Sequence, residues 1–134
     1  MDVPHEAVLL RIFTTADDRC GVEEPLYLAI VNKARDMHLA GATVLKGPLG
    51  FGQSTKLHAP HFLGDDRPVV IEICDSQEKI DAFLPVLDQM MESGLVTLER
   101  AQVLQYGRKR SGYLERLKES VLQHLHIHDK PGPG

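Results

Sequence analysis

The order of its predicted elements assigns this sequence to the α+β class, as a four-stranded antiparallel sheet with two helices on one face. The chain shows two successive strand–helix–strand patterns joined by a hairpin-like connection. A loop of about 20 residues separates the second strand from the third, and a further helical pattern follows the fourth strand. This βαββαβ order predicts a ferredoxin-like sandwich with an added C-terminal helix.

The first half consists of a buried strand, an amphipathic helix and a short strand. The apolar run Ala7–Phe13 predicts the first strand. Pro25 suits the first turn of the helix, where its missing N–H costs nothing, and Gly41 is the expected C-terminal stop. Apolar residues recur at helical spacing between them: Tyr27, Ile30, Val31, Ala34 and Met37. The strand Ala42–Lys46 follows directly, and a right-handed crossover makes it parallel to the first.

The second half repeats this order. Alternating apolar residues make Pro68–Cys74 the strongest predicted strand. Asp75 is the expected start of the second helix, with Glu78 as its capping-box partner. Pro85 removes one hydrogen bond and is expected to bend this helix, which Gly94 then ends.

The last strand is predicted at Leu95–Tyr106, with a turn or bulge at Glu99-Arg100. Residues 1–107 then form one ferredoxin-like domain. Residues 108–134 form an extension with a helix over Ser111–His124 and a disordered tail. Because both core helices cover the same face of the sheet, the other face must meet solvent, the extra helix or another subunit. Its mixed composition predicts an oligomer.

Length, charge and cysteine content restrict the class of protein. A chain of 134 residues suits one domain, and a formal net charge of -4 argues against a nucleic-acid partner. Cys20 and Cys74 have no pairing pattern and predict free thiols in a reducing compartment. The N-terminal residues do not resemble a signal peptide, and no apolar run approaches about 18 residues. We therefore expect a cytoplasmic protein.

The long loop between the second and third strands is the predicted functional centre. Compact domains rarely keep such a loop unless it has a function. Glycines at 47, 50 and 52 could let backbone amides approach a phosphate, or could form a turn that needs positive φ. Basic and imidazole side chains in and beside the loop could form an anion site or a metal site, or could be solvated: Lys46, Lys56, His58 and His61.

Three stretches of the chain resemble the PII-like proteins of the family known as domain of unknown function 190. They are Pro25–Gly52, Pro68–Met91 and Gly94–Gly107, and the run GATVLKGPLGFG in the first is the most specific. The resemblance implies a ferredoxin-like subunit assembled as a homotrimer. It also implies that residues 47–67 are the flexible T-loop.

The resemblance further implies that an adenine nucleotide, with or without magnesium, binds in clefts between subunits. The base of the PII loop corresponds to Gly50, Phe51, Gly52 and Gln53, and an alternative alignment places the same motif at Lys46 and Gly47. The paired arginines of the last PII strand fall near Val103 and Gln105, which are not basic. Arg108 and Arg110 lie just beyond and are the candidate substitutes.

Two functions remain open at this point. The first is a signalling and regulatory protein that reports nucleotide binding through the loop to a protein partner, such as a membrane transporter or channel. The alternative is a metal-binding, tolerance-type trimer that uses His58, His61 and the tail histidines. An enzyme is not expected, because the sequence shows no nucleophile beside a base and no convincing carboxylate pair.

Overall fold

The protein is described here by a computed structural model that covers residues 5–61, 64–107 and 113–128. Within these residues the chain forms strands and helices in the following order: β1 (Glu6–Thr15), β2 (Arg19–Cys20), β3 (Glu24–Pro25), α1 (Leu26–Asp36), β4 (Thr43–Lys46), β5 (Pro60–His61), β6 (Gly64–Asp65), β7 (Pro68–Asp75), α2 (Gln77–Met90), β8 (Leu95–Gln102) and α3 (Tyr113–His128).

The main sheet confirms the predicted ferredoxin-like fold. Its strand order is β4-β7-β1-β8, and every neighbouring pair is antiparallel. β4 therefore runs parallel to β1, as the crossover predicted, with β7 between them. The long loop joins β4 to β7 at the end of the sheet where β1 ends and β8 begins. We call this the loop end of the sheet, and the opposite end the far end.

The core lies between the sheet and helices α1 and α2. Every second residue of β1 and β7 faces it, so that Leu10, Ile12, Val69, Ile71 and Ile73 are almost completely buried. The helices contribute side chains at helical spacing: Ile30, Ala34, Ile80, Phe83 and Leu87. The apolar faces that the sequence predicts for the strands and for the helices therefore pack against each other in one core.

Helix α1 ends before the predicted stop at Gly41. His38, just beyond the helix, has a φ of 60°. The N–H of Leu39 donates to the carbonyl of Ala34 at 3.0 Å, which is the hydrogen bond of a Schellman motif. The prediction was wrong because it reserved the left-handed position for glycine, and here a histidine adopts it.

The start of α2 also differs from the prediction. Ser76 is the N-cap, and its hydroxyl accepts the N–H of Lys79 at 3.2 Å. Because Lys79 occupies the third helical position, Glu78 cannot complete a capping box. Asp75 is instead the last residue of β7, where its buried carboxylate accepts the N–H of Ala40 at 2.8 Å and that of Ser76 at 2.7 Å.

Three further boundaries shift. α2 continues through Pro85 and ends at Met90, before Gly94. Glu99 and Arg100 pair with β1 in continuous register, so the predicted turn or bulge is wrong and β8 simply ends at Gln102. α3 extends beyond the predicted end and includes the start of the predicted tail. Each helix in the described ranges is too short or too polar to cross a bilayer.

Candidate functional site

A cleft of about 760 Å³ opens at the loop end of the sheet. Its walls are the end of β1 with the turn that follows, the start of the long loop, and the connection that leads into β8. Four predicted site residues lie together in its wall: Gly50, Phe51, Gly52 and Gln53. His58, Ser93 and Gly94 also line it. The structure therefore brings the predicted loop base together with the turn before the last strand.

The close approach of a proline side chain, rather than positive φ, explains why two loop positions are glycine. A Cβ added at Gly47 or at Gly50 would lie 3.0 Å from Cγ of Pro68, the first residue of β7. Gly47 donates its N–H to the Pro68 carbonyl at 2.8 Å. The described glycines that do have positive φ lie outside this turn, at 21, 94 and 107. Gly47 and Gly50 thus let the loop return closely past the start of β7.

A backbone bridge closes the loop above its base. Gly50 donates its N–H to the carbonyl of His58 at 3.1 Å, and His58 donates its N–H to the carbonyl of Gly50 at 2.7 Å. Both N–H groups, like that of Gly47, are therefore directed to protein oxygens in this conformation. A Cβ at Gly52 would meet no atom within 4 Å, so Gly52 stands where a ligand can approach the backbone.

The second half of the loop is organised around the buried carboxylate of Asp66, which the sequence analysis missed. Asp66 is 2% exposed, accepts the N–H of Ala59 at 3.2 Å and lies 3.1 Å from Nδ1 of His58. Nζ of Lys56 is 3.9 Å from the same side chain. Burying a carboxylate is unfavourable unless donors surround it. The sequence contains two adjacent aspartates here, and no local pattern shows which of them is buried.

Its neighbour Asp65 forms a half-buried ion pair with Arg67. Nε and one terminal nitrogen of Arg67 each donate to Asp65 at 2.8 Å, in the two-pronged geometry that suits a carboxylate. These hydrogen bonds, more than the charge of Lys46, hold the pKa of Asp65 well below its usual range, and they raise the pKa of Arg67. Lys46 lies 3.7 Å from Asp65 and 5.4 Å from the ring centre of Tyr27.

Two carboxylates stand at the rim of the cleft in the turn after β1. Asp18 accepts the Thr15 N–H at 2.9 Å and the Thr14 hydroxyl, and Asp17 accepts the Thr15 hydroxyl at 2.5 Å. Both aspartates line the cleft. The sequence analysis did not assign a role to this segment. Among the described residues that line the cleft, none is lysine or arginine.

The predicted metal ligands do not gather in the described part of the chain. His58 is paired with Asp66, and His61 lies in β5 with its side chain outside the described structure. No group of three or more histidine, cysteine, aspartate or glutamate side chains suited to a metal occurs among the described residues. His124 lies at the far end of the sheet, where it lines a separate cleft with Glu6 and Gln102.

Arg108 and Arg110, the remaining predicted site residues, lie outside the described residues. Tyr106 before them and His124 of α3 after them both lie at the far end of the sheet. The hydroxyl of Tyr106 donates to the carbonyl of Ala40 at 2.7 Å, and α3 carries His124 to the end of β8. β8 has eight residues, which places its two ends roughly 25 Å apart.

Both cysteines are free thiols, as the sequence predicted. Cys74 lies half-buried on β7. Burial, with a smaller contribution from the charge of Asp75, raises the pKa of the Cys74 thiol. The thiol form therefore dominates at neutral pH, and Cys74 behaves as a small apolar residue of the sheet.

Comparison with known proteins identifies the family. Residues 7–103 match the family model DUF190, described as "Uncharacterized ACR". A UPF0166 protein of Aquifex aeolicus (strain VF5) is 37% identical over 98 residues, which cover 72% of this chain and 91% of that protein.

Two solved structures share the fold. A PII-like signaling protein from Thermus thermophilus aligns with a TM-score of 0.55 and 15% identity, over 77% of this chain and 93% of that one. The nitrogen regulatory PII-like protein CPII from Thiomonas intermedia K12, bound to ADP, AMP and bicarbonate, aligns with a TM-score of 0.51 and 17% identity, over 73% and 88%. The chain is therefore a member of the DUF190 family with a PII-like, ferredoxin-like fold.

Proposed function

We propose that this protein is a cytoplasmic PII-like regulatory protein that binds an adenine nucleotide in the cleft at the loop end. Residues 47–67 would report the binding to a protein partner. The main support is the cleft itself, because the loop base and the turn before β8 line it together. The PII-like protein of the same fold that is described as bound to ADP and AMP supports the ligand class. The proposed role is binding rather than catalysis.

The open face of the sheet supports assembly as a homotrimer. Opposite the helices, an apolar row crosses all four strands in register at the loop end: Leu45, Val70, Phe13 and Leu95. Beside this row Arg11 donates to Glu99 at 2.6 Å and lies 3.6 Å from Glu72. A continuous apolar row with an ion-pair network beside it is typical of a surface that another subunit covers.

Assembly would also complete the cleft. Phe13, Val70 and Leu95 belong both to the open face and to the cleft wall, so a subunit packed on that face borders the cleft. Within one subunit, the segment that leads to Arg108 starts about 25 Å away from the loop end. We therefore do not place Arg108 and Arg110 in the cleft of their own subunit, and their role stays a prediction. Residues 108–134 then form an extension whose α3 lies at the far end.

The loop has two properties that suit a reporter. Leu49, Phe51 and Leu57 are mostly exposed, so the loop presents apolar side chains that a ligand or a partner can cover. Among the described residues, the segment 51–57 lies between the Gly50–His58 bridge and the donors around Asp66, while the β5–β6 pairing and the Asp65–Arg67 ion pair lie nearer β7. A ligand that contacts residues 51–54 would therefore shift the population of loop states through its different affinity for each state.

A thermal-shift titration with ATP, ADP, AMP and cyclic AMP, with and without magnesium, tests this proposal. A nucleotide present at a hundredfold excess over its Kd should stabilise the fold by about 2.7 kcal/mol. Gly52→Asp should abolish the shift, because it adds bulk and negative charge where the backbone is open. Gly41→Asp is the matched control, since Gly41 is also open but lies in the α1–β4 connection at the far end. Absence of a shift with every nucleotide at millimolar concentration contradicts the proposal.

A further inference from the structure

We propose that the cleft at the loop end selects adenine nucleosides and nucleotides of low negative charge, with Phe51 contacting the base and Asp17 and Asp18 opposing additional phosphates. This inference rests on the proposed function, since it concerns the same cleft. It departs from a site built mainly to hold polyphosphate.

The apolar part of the cleft is suited to a nucleobase. Phe51 is 68% exposed and lines the cleft together with the half-buried Phe13 and with Leu95 at the start of β8. An exposed phenylalanine on a loop is costly in water, and a planar base that stacks on it removes this cost. Base–aromatic stacking commonly changes affinity by about fivefold or more.

The polar part of the cleft is unsuited to phosphate. Asp17 and Asp18 both line it, and among the described residues their hydrogen bonds come from uncharged donors, the hydroxyls and an N–H of Thr14 and Thr15. Among the described residues of the lining there is no lysine or arginine.

The loop cations nearest in sequence are directed to carboxylates of their own segment. Lys46 and Arg67 pair with Asp65, and Lys56 lies near Asp66. The positive charges of these side chains are therefore balanced by carboxylates of the loop, whereas a phosphate-binding loop would direct them into the cleft. Each negative charge that a ligand gains therefore meets repulsion from the rim carboxylates, which we expect to cost roughly twofold to fourfold in affinity per carboxylate at about 10 Å.

Isothermal titration with adenosine, AMP, ADP and ATP, without magnesium, provides the first measurement. We expect adenosine and AMP to bind best and ATP to bind at least about tenfold more weakly than AMP. Raising the salt from about 0.05 M to about 0.5 M should reduce this difference, because screening weakens repulsion. A site that held phosphates with cations would respond in the opposite way, since salt would then weaken ATP most.

Charge and stacking are separated by two variants with matched controls. Asp17→Asn keeps an oxygen that can accept the Thr15 hydroxyl, and should lower the ATP-to-AMP ratio of Kd values by about fourfold to tenfold. Asp36→Asn makes the same charge change at the exposed last residue of α1, at the far end of the sheet, and should leave the ratio unchanged. Phe51→Ala should weaken all four ligands alike by about fivefold or more. Leu57→Ala, a 62% exposed loop residue outside the lining, should not.

The possible outcomes are distinguishable. If ATP binds more tightly than AMP, or if Asp17→Asn leaves the ratio unchanged, this inference is wrong while nucleotide binding stands. If Phe51→Ala has no effect on any ligand, the assignment of the base to Phe51 is wrong. If none of the four ligands binds, the proposed function fails and this inference fails with it.

Discussion

A buried aspartate accepts hydrogen bonds at each end of the sheet, but the segments that donate these hydrogen bonds differ between the two ends. At the far end, Asp75 is 2% exposed and accepts backbone N–H groups of Ala40 and Ser76, which fixes a short connection and the start of α2. At the loop end, Asp66 is equally buried, but its partners His58 and Ala59 belong to the long loop itself. A buried carboxylate therefore holds a short connection at the far end, whereas at the loop end its hydrogen bonds hold a long loop that can open.

Neighbouring contacts strengthen this difference. At the far end, the Tyr106 hydroxyl and the Lys79 ammonium donate to carbonyls of the α1–β4 connection, at 2.7 Å and 2.9 Å. At the loop end, the Lys56 side chain beside Asp66 is 70% exposed, although that of His58 is only 19% exposed. We infer that the far end unfolds only with the whole domain, whereas the loop end can open locally.

The largest expected effect comes from Asp75→Ala. The change leaves two N–H groups near the core without their acceptor, which we expect to lower the free energy of unfolding by about 2–4 kcal/mol. Urea denaturation followed by circular dichroism measures this. Asp88→Ala, an exposed aspartate on α2, is the control and should change stability by less than about 0.5 kcal/mol. If the two variants are equally stable, the far end is not fastened by Asp75.

Asp66→Ala should have a smaller global effect and a larger local one. We expect a loss of about 1–2 kcal/mol, because the partners of Asp66 can reach water when the loop opens. Amide hydrogen exchange should become faster at Gly50 and His58, while exchange in β1 and β7 should change only as global stability does. Uniform acceleration across the sheet would show that Asp66 supports the core rather than the loop.

The smallest expected effect is a loss of loop stability in acid, through the ion pair of Asp65 with Arg67. Because Arg67 lowers the pKa of Asp65 in the folded protein below its ordinary value of 3.8, the pair stabilises the loop above that pH. This contribution is lost as the pH falls below 3.8 toward the lowered pKa. Limited proteolysis of residues 47–67 between about pH 5 and about pH 3 should therefore show increasing cleavage. Asp65→Asn should remove this pH-dependent component, and an unchanged acid response would exclude the pair as its source.

Much of the fold could be predicted from the sequence because it follows from local periodicity. The alternation of Val69, Ile71 and Ile73 and the helical spacing of Ile80 and Phe83 both identify faces that are buried in the structure. Two of the errors occurred where one residue replaced another in an equivalent role. His38 adopts the left-handed conformation expected of a glycine, and Ser76 caps the helix expected to begin at Asp75.

The candidate site was only partly predictable because its geometry depends on residues far apart in the chain. The glycine turn identified the loop base, but not that Pro68 is the reason for Gly47 and Gly50. Nothing in the sequence separates buried Asp66 from half-buried Asp65, or places Asp17 beside the loop. The roles of Arg108 and Arg110 and the trimer stay predictions, because they depend on chain segments and copies beyond the described residues.

The bridge between Gly50 and His58 divides the long loop into a stem and a tip. The tip, residues 51–57, contains a turn in which Thr55 donates its N–H to Gly52 and adopts a φ of 60°, a costly conformation for a β-branched residue. Closing a short ring costs less entropy than closing the whole loop. The tip can therefore rearrange on the nanosecond-to-microsecond timescale of short loops without unfastening the stem. A change of conformation in this tip would then be fast, local and reversible.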